Sequence, residues 1–546
     1  MTEAKPQAGP TAQPRPKPPR YFPGKVASFL IVVCLLMILV TRVFQDEIAA
    51  RAPMFDEAFL NLSTFILGFI AVLTFFLWLV LRSSYPGLVR LLTFLAIPGV
   101  IVLFFVFFEI VEVNGNMIPT IARRGAPRQD ATLGEVKSDK KQTGIDLATS
   151  TPDDFSQFLG PDRSNYLPGP KLADDWKATP PKEIWRQKIG AGWSAFSVQN
   201  GYAVTLEQRG DEEWVTCYEV ATGKPVWGDS IQARHFNVLG GAGPRSTPTI
   251  HNGKVYALGA TGVLRCLDGA TGKLLWKDDL LARYGLKQIP AEEIVMWGRA
   301  NSPLIVDNLV VIPAGGPLQK SKSLIAYDIE TGKVAWEGGE RQISYASPSL
   351  ITLGGERQIV SVNEDTVTGN DIKTGKELWS HPWQGRSNGP ASSSQAHLVG
   401  TDQLLLSKGY GSGAELISVK LEGGKWNVES LEKNPRVLKT KFTNITIIAG
   451  HAYGLSDGVL ECVEVKTLKP TWKKGRYGHG QVLGVGDKIL VLAEAGELVL
   501  VAADPAEFRE LGKIQALHGK TWNNLCLAGK LLLIRNAEEA VCYELP

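Results

Sequence analysis

The residue types that most often carry out chemistry show no recognised arrangement in this 546-residue chain. Its seven histidines include no pair at the spacing of metal ligands, and its six cysteines include no Cys-x-x-Cys pair. A Gly-x-Ser-x-Gly nucleophile elbow is absent, and the glycine-rich stretch Gly409–Gly413 precedes no helix pattern that could hold a phosphate. We therefore assign no catalytic residue and predict no metal site.

A second group of side chains suits ligand binding better than catalysis. Aromatic, arginine, asparagine and histidine residues stand at or near the start of short apolar runs that recur along the chain, and together they could bind an anionic or planar ligand. The candidates are Trp193, His235, Arg245, Trp297, Arg299, Asn301, Tyr345, Asn388, His479 and Trp522. The alternative is that these Ser-x-Pro and similar pieces only pack against one another. The insertion Lys277–Met296 is expected to form a short helical cover beside them.

The elements that must position these side chains are indicated by the string Cys266–Trp276, which has the chemistry of a β-hairpin. Asp268 and Thr271 can hydrogen-bond nearby backbone and steady a turn. Gly272 can adopt the positive φ that such a turn requires. Trp276 then offers a large apolar surface for burial.

The same string recurs along the chain. Close copies are Cys217–Trp227, Ala326–Trp336 and Gly369–Trp379, and fainter copies end at Trp426 and Trp472. Strand-rich units that repeat about every forty to sixty residues are typical of a β-propeller, in which each blade buries its faces against its neighbours. Two further strand groups, residues 480–515 and 522–545, bring the predicted number of blades to eight.

Two details of the repeat lead to further predictions. Cysteine alternates with alanine and glycine at the position ten residues before the tryptophan, so we interpret the cysteines as unpaired core thiols rather than disulfides or metal ligands. The strand ending at Trp185 lacks the preceding turn, and the C-terminal strand group lacks a fourth strand. We predict that these two segments pair and close the ring, which leaves no open edge.

Three apolar runs, Val26–Val40, Leu60–Leu81 and Leu91–Ile110, are long enough to predict transmembrane helices once the ends of the first are included. A cleaved signal peptide is the alternative for the first run. The resulting domains are a disordered basic cytoplasmic tail (1–24), a three-helix membrane anchor (25–112), a flexible linker (113–152) and the propeller (153–546).

Charge predicts the orientation of this anchor. The N-terminal tail and the adjoining Lys25 carry five lysine and arginine residues in all, whereas the loop after the first run is acidic. The positive-inside rule therefore places the tail in the cytoplasm and the propeller outside. Arg123, Arg124 and Arg128, just beyond the third run, argue for the opposite orientation. The net charge of +3 indicates no surface for nucleic acid.

From about Asp153 to its end, the chain resembles the pyrroloquinoline-quinone-type (PQQ-like) eight-bladed propellers. The resemblance is carried by the Asp-x-x-Thr-Gly-Lys-x-x-Trp hairpins, the opening Gln157–Pro161 and the stretch Trp297–Pro303. This family includes quinoprotein alcohol dehydrogenases and the propeller lipoprotein of the outer-membrane barrel-assembly machine. It implies an all-β eight-bladed propeller behind the three transmembrane helices, but it leaves the function open.

Departures from the family pattern guide the functional prediction. Quinoprotein dehydrogenases carry two adjacent cysteines and hold Ca²⁺ beside the quinone; this chain has no adjacent cysteines, and its nominal Ca²⁺ ligands are Glu207, Asn301 and Asn388. We therefore predict a scaffold in the bacterial inner membrane that binds protein or cell-envelope partners on the periplasmic side without a cofactor. The alternative is a PQQ-dependent oxidoreductase acting on an alcohol or sugar with PQQ and Ca²⁺. A sensor that couples a small ligand to the spans is a third reading.

Overall fold

The computed structural model describes residues 19–52, 55–136, 144–286, 295–317 and 320–546. Most of the predicted basic tail, and residues 287–294 of the insertion, lie outside these ranges. The described part of the insertion contains a short helix, Leu280–Arg283. The chain divides into two compact units, Met1–Asp46 with Leu60–Glu109 and Glu47–Phe59 with Ile110–Pro546. The first unit holds most of the apolar helical sequence, and the second holds the strands.

The described residues contain three helices long and apolar enough to cross a membrane, Lys25–Val43, Glu57–Leu81 and Gly87–Phe107. The first two helices contain the predicted runs and extend them by up to three residues. The third begins four residues before its predicted run and ends three residues before the predicted end, because Phe108–Ile110 belong to a strand. A short helix, Gln45–Arg51, lies between the first two. The candidate membrane spans predicted from the sequence are confirmed.

Within the described ranges, the second unit is an eight-bladed β-propeller whose blades are antiparallel four-stranded sheets, one of them with an added strand. Blades 1 to 4 comprise Ser197–Gln199, Tyr202–Arg209, Glu212–Glu219 and Pro225–Gln232; Thr249–His251, Lys254–Leu258, Val263–Asp268 and Leu274–Asp279; Leu304–Val306, Leu309–Gly315, Lys322–Asp328 and Val334–Gly338; Ser349–Leu353, Glu356–Val362, Thr366–Asn370 and Glu377–Pro382.

The other four blades repeat this plan. Blades 5 to 8 comprise His397–Val399, Gln403–Lys408, Gly413–Glu422 and Lys425–Asn434; Thr446–Ile448, His451–Ser456, Val459–Glu464 and Lys469–Arg476; Gln481–Val485, Lys488–Leu492, Glu497–Ala502 and Glu510–Gln515; Cys526–Ala528, Leu531–Arg535, Glu539–Glu544 and Lys182–Lys188. The first-named strand of each blade is innermost. The added strand, Tyr166–Leu167, runs parallel to Gln481–Val485 of blade 7.

The ring closes as predicted. Lys182–Lys188 pairs antiparallel with Glu539–Glu544, and Trp185 lies opposite Cys542. The N-terminal strand of the propeller thereby becomes the outer strand of the last blade, so neither end of the ring leaves an unpaired edge between first and last blades. All six cysteines lie in described parts of the chain, where they are buried and form no disulfide.

Four tryptophans of the repeats join their own blades to the next. The Trp227 ring lies over Gly272 in the following blade, and its indole Nε1 donates to the Gly269 carbonyl over 2.9 Å. A Cβ added to Gly272 would lie 2.6 Å from the Trp227 ring, and the φ of Gly272 is +71°. The turn therefore requires glycine both for its backbone angle and for the ring above it. Three other turns share this arrangement: Gly223 under Trp185, Gly332 under Trp276, and Gly375 under Trp336.

One of the predicted repeats is wrong. In each blade the strand register shifts beside the third strand, just after the position that faces tryptophan in six blades. In blade 5 this position, Leu416, faces Glu432, whereas Trp426 faces Leu421 near the hairpin end. Trp426 is therefore not an equivalent of Trp472. The hairpin of blade 5 is longer, so its Gly-Lys-Trp sequence lies several residues away from the register shift.

Candidate functional site

The segments that lead into the innermost strands of successive blades are joined by a series of hydrogen bonds. The Ala195 N–H donates to Thr247 Oγ1 over 3.3 Å, and the Thr247 N–H donates to Ser302 Oγ over 2.9 Å. The Ser302 N–H in turn donates to Ser347 Oγ over 2.8 Å. The hydroxyl groups of the Ser-x-Pro and similar pieces thus connect blades 1 to 4, which is a structural role.

Three predicted site residues likewise bind the propeller's own backbone. The Arg245 guanidinium donates to carbonyl oxygens of residues 240, 241 and 243. Arg299 donates to those of residues 313 and 314, and the Asn301 amide donates to those of residues 344 and 346. Burial lowers the pKa of both arginines to about 10. These side chains therefore stabilise loops and hold few donors for an external ligand.

Trp297, Tyr345 and His235 form a second group. The Trp297 and Tyr345 rings stack with centroids 5.2 Å apart, and the Tyr345 hydroxyl donates to the Ser387 carbonyl over 2.6 Å. Burial lowers the pKa of His235 to about 3, so its ring is neutral near pH 7. Its Nε2 and the Trp297 Nε1 have no hydrogen-bond partner among the described residues. Asn388 is exposed and is not part of this group.

The remaining predicted residues, Trp193, His479 and Trp522, meet at one end of the channel together with Phe442. The Trp522 ring centroid lies 5.0 Å from that of Trp193 and 4.6 Å from that of Phe442, which lies 5.3 Å from the His479 ring. Lys520 Nζ lies 4.2 Å above the Trp522 ring, at the range of a cation–π interaction. We call these five side chains the mouth cluster. Lys520 was not among the sequence candidates.

A turn of the chain itself fills the space beside the mouth cluster. Phe108–Val113 and Pro119–Arg123 form a two-stranded hairpin, and we call residues 112–116, at its tip, the plug. The Gly115 N–H donates to Glu494 Oε1 over 2.7 Å, and this oxygen also accepts the Trp522 indole N–H over 2.8 Å. A Cβ on Gly115 would lie 2.2 Å from the His479 ring. The turn therefore fits the mouth closely.

Side chains on both partners complete the plug's contacts. Lys520 Nζ donates to the Val113 carbonyl over 3.0 Å and pairs with the Glu112 carboxylate over 2.6 Å. His479 Nε2 lies 3.0 Å from Asn116 Oδ1, an acceptor, so Nε2 carries the proton. Burial lowers the pKa of His479 well below its usual range, which keeps the ring neutral. The principal polar groups of the mouth are thus bound by the plug.

Most of the plug belongs to the segment predicted as a flexible linker, 113–152, and other described residues of this segment also contact the propeller. Asp130 pairs with Arg234 over 2.6 Å. Leu147 is buried, and its carbonyl accepts the Gly253 N–H over 3.0 Å. The sequence did contain a signal for the hairpin, since Asn114 and Gly115 stand between two alternating apolar runs. The polar composition of the segment concealed it.

The channel interior holds a second segment, residues 155–167, which we call the channel segment. The buried Arg163 guanidinium donates to the Pro348 carbonyl over 2.7 Å and also to the carbonyls of Ser302 and Pro303. The Asn165 amide donates to carbonyls of residues 445 and 482 over 3.1 and 3.0 Å. Burial lowers the pKa of Arg163 to about 9. The channel segment therefore binds blades 3, 4, 6 and 7 from inside.

Comparison with known protein families agrees with this architecture. The family model described as outer membrane protein assembly factor BamB matches residues 180–279 and 211–474, together more than half of the chain. The chain belongs to this family of PQQ-like propellers. No curated protein sequence matches it.

Solved structures share the fold of this PQQ-like propeller. A europium-containing methanol dehydrogenase is 11% identical, with a TM-score of 0.53, over 70% of this chain and 90% of that one. The quinohemoprotein alcohol dehydrogenase from Comamonas testosteroni is 12% identical, with a TM-score of 0.51, over 72% and 81%. BamB from Moraxella catarrhalis is 14% identical, with a TM-score of 0.47, over 67% and 99%. At these identities, the likeness to the two dehydrogenases establishes the fold alone.

The three nominal Ca²⁺ ligands of this PQQ-like propeller are bound elsewhere or exposed and do not form a Ca²⁺ site. The buried Glu207 carboxylate accepts hydrogen bonds from the Tyr218 hydroxyl over 2.7 Å, from Arg209 over 3.1 Å and from the Gly190 N–H over 2.6 Å. Of the other two nominal ligands, Asn301 holds backbone carbonyls and Asn388 is exposed. The described ranges contain no group of three His, Cys, Asp or Glu residues able to hold a metal ion.

Proposed function

We propose that this protein is a membrane-anchored, extracytoplasmic propeller that binds protein or cell-envelope partners on its outer surface. The observation that carries this proposal is the plug, because residues 112–116 bind the side chains that a small ligand entering the mouth would meet. A propeller whose mouth is held by its own chain retains its outer blade surfaces for recognition. The family description, which names an assembly factor, supports a role in binding other proteins.

Contacts within the second unit support an extracytoplasmic propeller. Lys441 Nζ pairs with Asp56 over 2.8 Å, and both side chains are largely buried. Asp56 belongs to the connection between the first and second candidate spans, and three crossings put that connection and the propeller on the same side of a bilayer. The basic N-terminal tail then lies on the opposite side, which the positive-inside rule assigns to the cytoplasm. We place the protein in the bacterial inner membrane.

Outer strands of three blades offer apolar side chains for a partner. Ile184 in blade 8, Leu275 in blade 2 and Leu431 in blade 5 are 37%, 46% and 38% exposed. Outer strands also present unpaired backbone groups, so a partner could add contacts along the edge. These positions are suitable for a crosslinking test.

The test is photocrosslinking in intact cells that produce the full chain. The photoreactive residue p-benzoylphenylalanine replaces Ile184, Leu275 or Leu431 in turn, and Lys513, on the outer strand of blade 7, serves as the matched polar control. We expect a discrete protein adduct from at least one apolar position and none from Lys513. If all three apolar positions give no adduct while the variants accumulate normally, the proposed binding function is wrong.

A further inference from the structure

Six exposed apolar side chains gather on the hairpin that carries the plug and on the neighbouring loop 236–242. They are Ile110, Ile118 and Ile121 on the hairpin, and Phe236, Val238 and Leu239 on the loop, each 37% to 49% exposed. The Val113 N–H donates to the Val238 carbonyl over 3.1 Å, which joins the two segments. We call these six side chains the apolar rim. An exposed group of this size on a soluble domain marks an interaction surface.

Chain connectivity brings this rim to a membrane boundary. The third candidate span ends at Phe107, and the first strand of the hairpin begins at the next residue, Phe108. Ile110 is three residues beyond the span, and an extended chain covers at most about 10 Å over that length. The hairpin therefore begins where the hydrocarbon core of a bilayer ends.

The start of the second candidate span also contacts the propeller. Glu57 is the first residue of the second candidate span, and its carboxylate pairs with Arg476 of blade 6 over 2.6 Å. Asp56, one residue earlier, pairs with Lys441. Lys441 directly precedes Phe442 of the mouth cluster, in the segment that leads into blade 6. Two separate span ends thus connect to residues around the mouth.

The charge beside the rim suits lipid headgroups. Arg123 and Arg124 stand two and three residues after Ile121 and are exposed. Apolar side chains next to exposed arginines are the composition of an interfacial segment, which buries the former among acyl chains and pairs the latter with anionic lipid. In the sequence analysis, Arg123 and Arg124 argued against the orientation given by the positive-inside rule. Pairing with anionic lipid explains their presence at this surface.

We infer that the apolar rim enters the interface of the bilayer that holds the spans, with Arg123 and Arg124 at the anionic headgroups. A lipid occupant follows from connectivity, because the span ends hold the hairpin at the bilayer without any encounter with a second protein. The rim then fixes the mouth side of the propeller against the membrane and leaves the outer blade surfaces free. This surface is separate from the positions proposed for protein partners.

The test uses the full chain reconstituted in pure lipid vesicles that contain phosphatidylglycerol. Single variants I121C, F236C and L239C are labelled with the environment-sensitive dye NBD, and L431C, on the outer strand of blade 5, is the matched exposed control. The six native cysteines are buried, so labelling with a maleimide in the folded state is selective. Lipids that carry a spin label near the headgroup are then added as quenchers.

We expect the quencher to remove more than half of the NBD emission at the three rim positions and little of it at L431C. When the labelled chain also carries R123Q/R124Q and the vesicles lack phosphatidylglycerol, quenching at the rim positions should fall toward that at L431C. Rim positions quenched no more than L431C would overturn the inference. A blue-shifted emission without lipid quenching would also overturn it, since a second copy of the chain would then cover the rim. Neither result bears on the crosslinking of outer strands.

Discussion

The interior and the mouth of the propeller's channel are both filled by the protein's own chain, but by different kinds of contact. In the interior, the Arg163 and Asn165 side chains of the channel segment bind backbone carbonyl oxygens of four blades. At the mouth, the plug is held mainly by side chains, namely Glu494, His479 and Lys520. The channel segment is therefore part of the fold, whereas the plug could leave the mouth without unfolding the blades.

The difference has an energetic basis. A buried carbonyl that loses its donor has no water to replace it, so removal of an interior donor leaves the full desolvation penalty. Groups at the mouth would regain water when the plug leaves, so the loss of each of their contacts costs less. The four predictions below run from the largest expected effect to the smallest.

Replacement of Arg163 by methionine should cause the largest loss. The side chain is 2% exposed, and its removal leaves buried carbonyl oxygens of residues 302, 303 and 348 without their donor. We expect the free energy of unfolding to fall by about 3 to 5 kcal/mol. Urea unfolding followed by tryptophan emission measures it, and Arg436→Met, at an exposed position, should change stability little. Equal midpoints for the two variants would contradict the structural role of the channel segment.

Acidification should weaken the interior through His397. Burial lowers the pKa of His397 from about 6.5 to about 4, although Asn444 and Ser164 bind its ring. Below pH 6.5 the unfolded chain binds a proton that the folded chain does not, so stability decreases as the pH falls toward 4. The expected loss from this residue is about 2 to 3 kcal/mol.

Melting temperatures measured across this pH window, for the native chain and His397→Gln, test the effect. The variant should lose less stability on acidification, because glutamine has no proton to bind. An identical pH dependence of the two proteins would show that His397 does not titrate differently on folding.

At the mouth, Gly115→Ala should expel the plug and leave the propeller folded. The added Cβ would meet the His479 ring at 2.2 Å, so the turn must move away. We expect loss of hydrogen-exchange protection at the amides of residues 113 and 115, with a fall in stability of only about 1 kcal/mol. Gly134→Ala is the matched control, since a Cβ there meets nothing within 4 Å.

A second variant makes the mouth test specific. If the clash with the ring is the cause, Gly115→Ala combined with His479→Ala should recover protection relative to Gly115→Ala alone. Global unfolding of Gly115→Ala would show that the plug is as much a part of the fold as the channel segment.

The smallest expected effect concerns the quinone. Because the plug binds the mouth and Glu207 is held by Arg209 and Tyr218, addition of PQQ and Ca²⁺ should leave the emission of Trp193 and Trp522 unchanged. Dye reduction with a panel of alcohols and sugars should remain at background. Saturable quenching would favour the oxidoreductase alternative, and its recurrence only in Gly115→Ala would indicate a site that the plug covers.

Part of this architecture could be predicted from sequence because the signals are local. The tryptophan hairpins, the strand at Trp185 and the three apolar runs each lie within a short stretch, and the structure confirms the hairpins, the ring closure and the candidate spans. Trp426 misled the prediction because a Gly-Lys-Trp sequence is not itself a bulge position. The site was harder, since the sequence candidates include arginines that bind loops and an exposed Asn388 but omit Lys520 and Glu494.

The sequence by itself determined the number of blades, the way in which the ring closes and the candidate spans that precede it. The spacing of the repeats and the length of the apolar runs are local properties of the chain. Only the tertiary structure decided what fills the channel. Gly115 and Glu494 are 379 positions apart, and their contact depends on the ring bringing a distant loop to the hairpin. Composition describes residues 113–152 as a polar linker, since polar groups satisfied by a distant partner and polar groups satisfied by water have the same sequence.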